Sequence, residues 1–341
     1  MTRFRSMLMT LGMILSFAIA MVSTGPTLVA AQATPAATPA ATPIVANTGL
    51  AGATAWLVSQ QGEDGSFLGF SGEPDAGTTV DALLALVAAD NAGIDTSAAI
   101  DAAIGYLGSE DIALVYTQTG VGQAAKLVLG LVAAGEDPTD FAGVDPLVIL
   151  EHGQDADTGI YGGGLFNHAL VVLALAATDS EIPTSAIDAL AASQAPNGGW
   201  GWDGSPVDDN ADSNTTSLVI QALVAAGQGD SELVTNGIAY LQTTIVDGGA
   251  AYNHVEGSTA DANSTAYVIQ AFIAAGQDAS ALQGDLAAFQ NADGSYVYNA
   301  ETPGANLLAV VQAIPAVAEQ AFPIVPADAA AFAPVTFALA A

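Results

Sequence analysis

A short apolar segment that contains alanine returns at a nearly constant interval along this chain, and that periodicity limits the fold more than any other feature. It appears at Leu86–Ala89, Leu131–Ala134, Leu175–Ala177, Leu223–Ala226, Phe272–Ala275 and Ile314–Val317, with steps of 45, 44, 48, 49 and 42 residues. A second series, Gln60, Ser109, His152, Gln194, Gln242 and Gln290, keeps similar time with steps of 49, 43, 42, 48 and 48. Two markers with one period define six repeats, each too small to bury its apolar face alone. Within a unit the order is helix, Gly-rich turn, helix. Apolar residues recur at helical spacing, as in Leu218, Val219, Ala222, Leu223 and Ala226. Gly135, Gly227 and Gly276 stand where a helix ends in a left-handed residue. Asp212-Ser213-Asn214-Thr215 and Asp261-Ala262-Asn263-Ser264 stand where side chains cap a helix start. Strand signals are weak and confined to turns. The expectation is an all-α protein of about twelve helices, either an open solenoid or a closed double ring. Periodicity alone does not choose between them.

The ends of the chain read differently. Residues 1–33 have the form of a secretory signal, with Arg3 and Arg5 before the apolar stretch Met7–Val22. Ala31-Gln32-Ala33 offers a cleavage site, and Val29-Ala30-Ala31 an alternative. Residues 34–46, rich in Ala, Thr and Pro, form an extended linker. The repeats occupy 47–320, and 321–341 read as an Ala/Pro-rich tail. The expected location is secreted or cell-surface, with an uncleaved N-terminal anchor left open. Lys and Arg number 3 against 35 acids. Without Arg3 and Arg5, Lys126 is the one cation remaining. That balance excludes a nucleic-acid binder and argues against an anionic substrate held in a basic clamp. The acidity is as readily a habitat-adapted surface as a functional one. There is no cysteine, which removes disulfides, thiolate catalysis and Cys-ligated zinc.

Gln194-Ala195-Pro196-Asn197-Gly198-Gly199-Trp200-Gly201-Trp202 resembles the glutamine–tryptophan repeat of squalene cyclases and protein prenyltransferase β-subunits. Weaker copies stand at Gln60–Phe67 and Gln290–Tyr296, and Asp261–Ala271 resembles an inner-helix start of exported bacterial members of that superfamily. Animal cobalamin carriers share the fold. The resemblance covers roughly Asn47 to Gln320 and implies an α6/α6 toroid of six helical-hairpin repeats, whose second helices line a central cavity.

Enzymatic branches of the superfamily each need an atom that this sequence withholds. Cyclases protonate an alkene or epoxide with the middle Asp of a D-x-D-D-T-A motif. The matching segments here carry Asn214 and Asn263 at the acid position, and Gly77 in the first repeat. An amide has no proton to give. The aromatic supply for cation–π stabilisation is thin, with 11 Phe, 8 Tyr and 3 Trp. Prenyltransfer requires a zinc-ligating Cys and basic residues for a diphosphate, and a Cys–Gln thioester is likewise forbidden.

The remaining candidates carry two readings each. His168, at the start of the third inner helix, reads as a hydrogen-bonding or ligand-contacting group. His152 and His254 share no metal-ligand spacing with it. The acidic stretch Asp203–Asp212 reads as a solvated turn, since it lacks a calcium-loop pattern. Trp200 and Trp202 either pack between repeats or, with Tyr161, Tyr252 and Tyr298, form a stacking wall at the cavity mouth. Asp75, Asp212 and Asp261 occupy equivalent places, with Asn214 and Asn263 two residues after the last two. They either cap their helices or form a polar crown at one end of the cavity. The function expected is therefore non-catalytic: an exported toroid binding a neutral small molecule, of the cobalamin kind or another, or a surface partner, at the inner-helix N-terminal rim. The alternatives are a terpenoid-cyclase-like enzyme acting on an uncharged polyisoprenoid and a structural cell-surface module. No cofactor, metal or catalytic residue is assigned.

Overall fold

The computed structural model describes residues 48–327. The signal, the linker and the last part of the tail (328–341) lie outside the described residues. Thirteen α-helices are found among those described: α1 (Gly49–Ser59), α2 (Ala76–Asn91), α3 (Ser97–Leu107), α4 (Ile112–Gln118), α5 (Val121–Ala134), α6 (Pro146–Glu151), α7 (Leu165–Ala177), α8 (Thr184–Ala192), α9 (Ser213–Ala225), α10 (Glu232–Thr244), α11 (Ala262–Ala274), α12 (Ser280–Ala287) and α13 (Leu307–Val317). The only sheets among the described residues are two small hairpins in the turns before α11 and α13. None of these helices is long and apolar enough to cross a membrane.

Six helices, α2, α5, α7, α9, α11 and α13, pack side by side in that order, and α13 returns onto α2. They are the helices that carry the recurring apolar–alanine marker, and Leu86, Leu131, Leu175, Leu223, Phe272 and Ile314 are all buried. The other helices lie outside this circuit: α1 on α13 and α2, α3 on α2, α4 and α6 on α5, α8 on α7, α10 on α9, and α12 on α11 and α13. The thirteenth helix beyond the expected twelve is α4, a short turn of helix between the Ser109 marker and α5.

Four of the six circuit helices, α2, α9, α11 and α13, start at a side-chain cap. Asp75, Asp212, Asp261 and Asn306 accept from the backbone N–H groups of Thr78, Thr215, Ser264 and Ala309 at 2.6, 2.7, 2.8 and 3.0 Å. Four residues after each of the three Asp caps a threonine binds the turn that leads into the helix. Phe67, Trp200 and Ala250 donate their N–H groups to the hydroxyls of Thr79, Thr216 and Thr265.

Neighbouring units are stapled by glutamine. Gln194 Nε2 donates to Gly198 O in its own turn and to Leu233 O at the start of α10, both at 2.9 Å. Gln61 and Gln154 repeat the bridge toward Ala99 and Ser185. Gln290 makes the last one, to Gly49 of α1, and so joins the end of the series to its beginning. In the first unit Gln61 is the staple, whereas Gln60 reaches only Ser59. The turn glycine beside each staple has no room for a side chain. At Gly198 (φ 92°) a Cβ would strike the carbonyl of Asn236 in α10.

Candidate functional site

Each circuit helix turns one face to the axis. Counting back from the six aligned markers, one tier of axial positions holds Asp81, Lys126, Leu170, Leu218 and Tyr267. The tier one turn nearer the helix C-termini holds Leu84, Leu129, Gln270 and Gln312. Together with Phe166, Val311 and Phe322 they enclose an axial cavity of about 260 Å³. Three residues separate the tiers along a helix, a rise of about 4.5 Å.

The polar groups are few and specific. Lys126 Nζ and Asp81 Oδ1 lie 2.5 Å apart, both side chains about a quarter exposed. This is the one Lys or Arg among the described residues, and it faces the axis rather than solvent outside the ring. Burial pushes the Asp81 carboxyl above its ordinary range, opposed in part by the Lys126 charge. Burial and the Asp81 charge hold the Tyr267 phenol well above the usual tyrosine range. One tier down, Gln270 donates to Gln312 O at 3.1 Å, while Gln312 Oε1 accepts from Asn263 at 2.6 Å. Gln270 is only 1% exposed, and its Oε1 has no hydrogen-bond partner.

The far end of the axis is closed by the chain itself. After α13 the backbone crosses the C-terminal ends of the circuit helices. Gln320 donates to Ala88 O at 2.8 Å, and Phe322 N–H donates to Gln221 Oε1 at 2.8 Å. Asn91 donates to Val325 O and accepts from the N–H of Ala327. Ile324 is buried and Phe322 lines the cavity. The segment expected as tail from residue 321 therefore acts as a plug as far as residue 327. At the other end a second hollow of about 280 Å³, lined by Leu68, Phe70, Thr78 and Asn306, shares Asp81, Leu308 and Val311 with the first. It marks a way in between α2 and α13. Phe70 stands 95% exposed beside it.

The residues singled out from sequence divide into three groups. Trp200, Tyr161 and His168 lie inside the protein, away from the mouth. Trp200 is fully buried, with its indole N–H on Leu190 O at 2.7 Å and its ring against Gly237, so it packs between α8, α9 and α10. His168 is sealed in: Nδ1 accepts the Tyr161 N–H at 3.0 Å, which leaves Nε2–H to donate to Ala186 O at 2.9 Å. Burial drives its pKa down to about 4. Of the five aromatic residues expected to form a stacking wall, Trp200 and Tyr161 are thus buried in the packing, whereas Trp202, Tyr252 and Tyr298 reach solvent.

Asp75, Asp212 and Asp261 cap their own helices. Asp75 and Asp261 each take a neighbouring hydroxyl as well, from Thr78 and Ser264. Asp212 keeps Oδ2 without a partner, and burial raises its pKa. Tyr252 sits close enough for burial and the Asp212 charge to push its phenol up to about 12. Asn214 interacts with Ser213, and Asn263 turns toward Gln312. The acidic stretch closes on itself: Asp208 takes the Asn197 N–H, and Asp203 takes Ser205 N–H and Asn210 Nδ2. Among the described residues no group of three His, Cys, Asp or Glu side chains is placed to hold a metal ion.

Sequence reasoning missed Asp81, Lys126 and Gln270. The signal was present. Val80-Asp81-Ala82-Leu83, Ile220-Gln221-Ala222-Leu223, Ile269-Gln270-Ala271-Phe272 and Val311-Gln312-Ala313-Ile314 each place one polar residue inside an apolar helix run.

No protein-family model matches this chain, and no curated protein matches it either. Solved structures do share its fold. The type II terpene cyclase MstE from Scytonema superposes with a TM-score of 0.57 at 15% identity, covering 79% of this chain and 96% of that one. Haptocorrin, in complex with Cbi, superposes with a TM-score of 0.55 at 14% identity, covering 83% and 69%. The α-1,6-mannanase GH76A of Salegentibacter sp. HEL1_6, in complex with α-1,6-mannotriose, gives 0.55 at 10% identity, covering 80% and 97%. The fold is thus that of the terpene cyclases and of haptocorrin, as the glutamine–tryptophan motif implied. Proteins of such different function on one fold leave the activity to be argued from the site.

Proposed function

We propose that this chain is an exported, non-catalytic α6/α6 toroid of six helical hairpins that binds a neutral small molecule in its axial cavity, admitted through the inner-helix N-terminal rim. The observation that carries the reading is the cavity: closed below by the C-terminal plug, open toward the rim, apolar in most of its wall and supplied with a few fixed polar groups. Its volume lies below the ~300–1,000 Å³ of drug-sized sites, so the ligand is small. A whole corrinoid does not fit inside, and a ligand of that size would rest on the rim. Among the described residues Asp81 is the one carboxyl lining the cavity, and the Lys126 ammonium group holds it. A carboxyl held in that way makes a poor general acid, which weighs against the cyclase alternative. The test is equilibrium dialysis of the purified chain against a fractionated small-molecule extract of its own host. A compound concentrated by the protein and recovered unchanged in mass supports binding without turnover. A recovered product, or no enrichment, overturns the reading.

A further inference from the structure

The axial cavity holds an arrangement that stability does not explain. A chain with almost no cations places its one described cation at the centre of the ring, against a carboxylate, in a wall of Leu, Val and Phe. Partly exposed ion pairs contribute little to stability, and apolar replacements of a more buried pair are often neutral or better. One turn below, the Gln270 carbonyl oxygen is buried without a donor, which costs the fold stability. Both features gain a purpose if a ligand completes them.

We propose that the Asp81–Lys126 pair and the Gln270 Oε1 form a two-level recognition site for a net-neutral molecule that carries two hydrogen-bonding groups on an apolar body. This rests on the ligand-binding reading above and names the class of ligand. The neutrality follows from the pair. Asp81 and Lys126 cancel, so a charged ligand would bring an uncompensated charge into an enclosed apolar space. The two groups follow from the tiers. A group at the upper tier accepts from Lys126 or donates to Asp81. A group one turn lower, about 4.5 Å along the axis, donates an N–H or O–H to Gln270. The apolar body lies against Leu170, Leu218 and Phe166. Small hydroxy-amides and diols meet these requirements. Saturated hydrocarbons lack the polar groups, and carboxylates or amines of the same shape carry the wrong charge.

The experiment uses the full chain and four probes of one size: 4-hydroxybenzamide, 4-hydroxybenzoate, tyramine and p-xylene. Binding is measured by ligand-observed NMR and calorimetry, with circular dichroism as the folding control. The neutral amide should bind at least tenfold more tightly than the anion, the cation or the hydrocarbon. Its affinity should fall at least tenfold in Gln270→Leu and in the charge-neutral double variant Asp81→Asn with Lys126→Met. The pair is changed together so that neither charge is left buried alone. Equal affinity for p-xylene, tighter binding of either ion, or unchanged amide affinity in both folded variants overturns the assignment. If no probe binds but the protein concentrates a host compound in dialysis, the ligand class is wrong and the binding reading stands. If nothing is bound in either experiment, both fall.

Discussion

Acidification should remove the stability that a neutral, buried His168 contributes. The unfolded imidazole titrates near 6.5, and burial between Tyr161 and Ala186 pushes the folded one down to about 4. A group with a depressed folded pKa contributes stability that is present above the unfolded value and lost as pH falls through the window between the two. Here that window runs from 6.5 down to about 4. At about 1.36 kcal/mol per pH unit, the loss reaches roughly 3 kcal/mol by pH 4. Asp81, Asp212 and Asp261 work in the opposite direction. Their folded pKa values are raised by burial, so the folded protein gains protons first and gains stability as pH falls. The total curve therefore mixes signs, and the informative quantity is the difference between wild type and His168→Gln. Gln retains a donor for Ala186 O but does not titrate. Urea unfolding at pH 7, 6, 5 and 4 should show the wild-type advantage shrinking by about 3 kcal/mol across the series. An advantage that stays constant, or grows on acidification, would refute a neutral, sealed His168.

Three other perturbations follow from the packing. Trp200→Ala should cost about 3–5 kcal/mol in chemical denaturation, because it empties a fully buried site between three helices, while the exposed Trp202→Ala should stay within about 0.5 kcal/mol. Gln290→Ala removes the staple to Gly49 and should lower stability by about 1–3 kcal/mol, with faster amide exchange in α1 than anywhere in α9. A chain ending at Gln320 loses the plug, including buried Ile324, and should be less stable by about 2 kcal/mol or more while binding an apolar dye that the full chain excludes.

The helices were legible because they rest on local rules that sequence carries openly. The apolar–alanine marker lies in all six circuit helices, and Asp75, Asp212 and Asp261 cap where capping residues belong. Trp200 and Trp202, two residues apart in one motif, met opposite fates: Trp200 pairs with Asp212 and buries its ring, whereas Trp202 lies past that bridge in the turn and is exposed. That separation depends on the turn's bonds to Thr216 and Asp212, which no local pattern displays. Lys126 looked like a leftover charge because a count of cations ignores position. Its meaning appears only when α2 and α5 lie side by side and bring it to Asp81. The plug was hidden for a similar reason. Ala/Pro composition reads as a tail, whereas Phe322 and Val325 are held by backbone bonds to Gln221 and Asn91, over a hundred residues earlier.

Occupancy of the axial cavity is the central claim, and native mass spectrometry of the protein purified from its own host tests it most directly when paired with a cavity-filling variant. Leu170 faces the axis from α7, and Leu170→Trp would place an indole in the space assigned to the ligand. Wild type should carry one small molecule that survives gentle ionisation and leaves on collisional activation. Leu170→Trp, with the same circular dichroism spectrum, should fly as bare protein. A ligand-free wild type, or the same adduct on both proteins, would contradict a binding site on the ring axis.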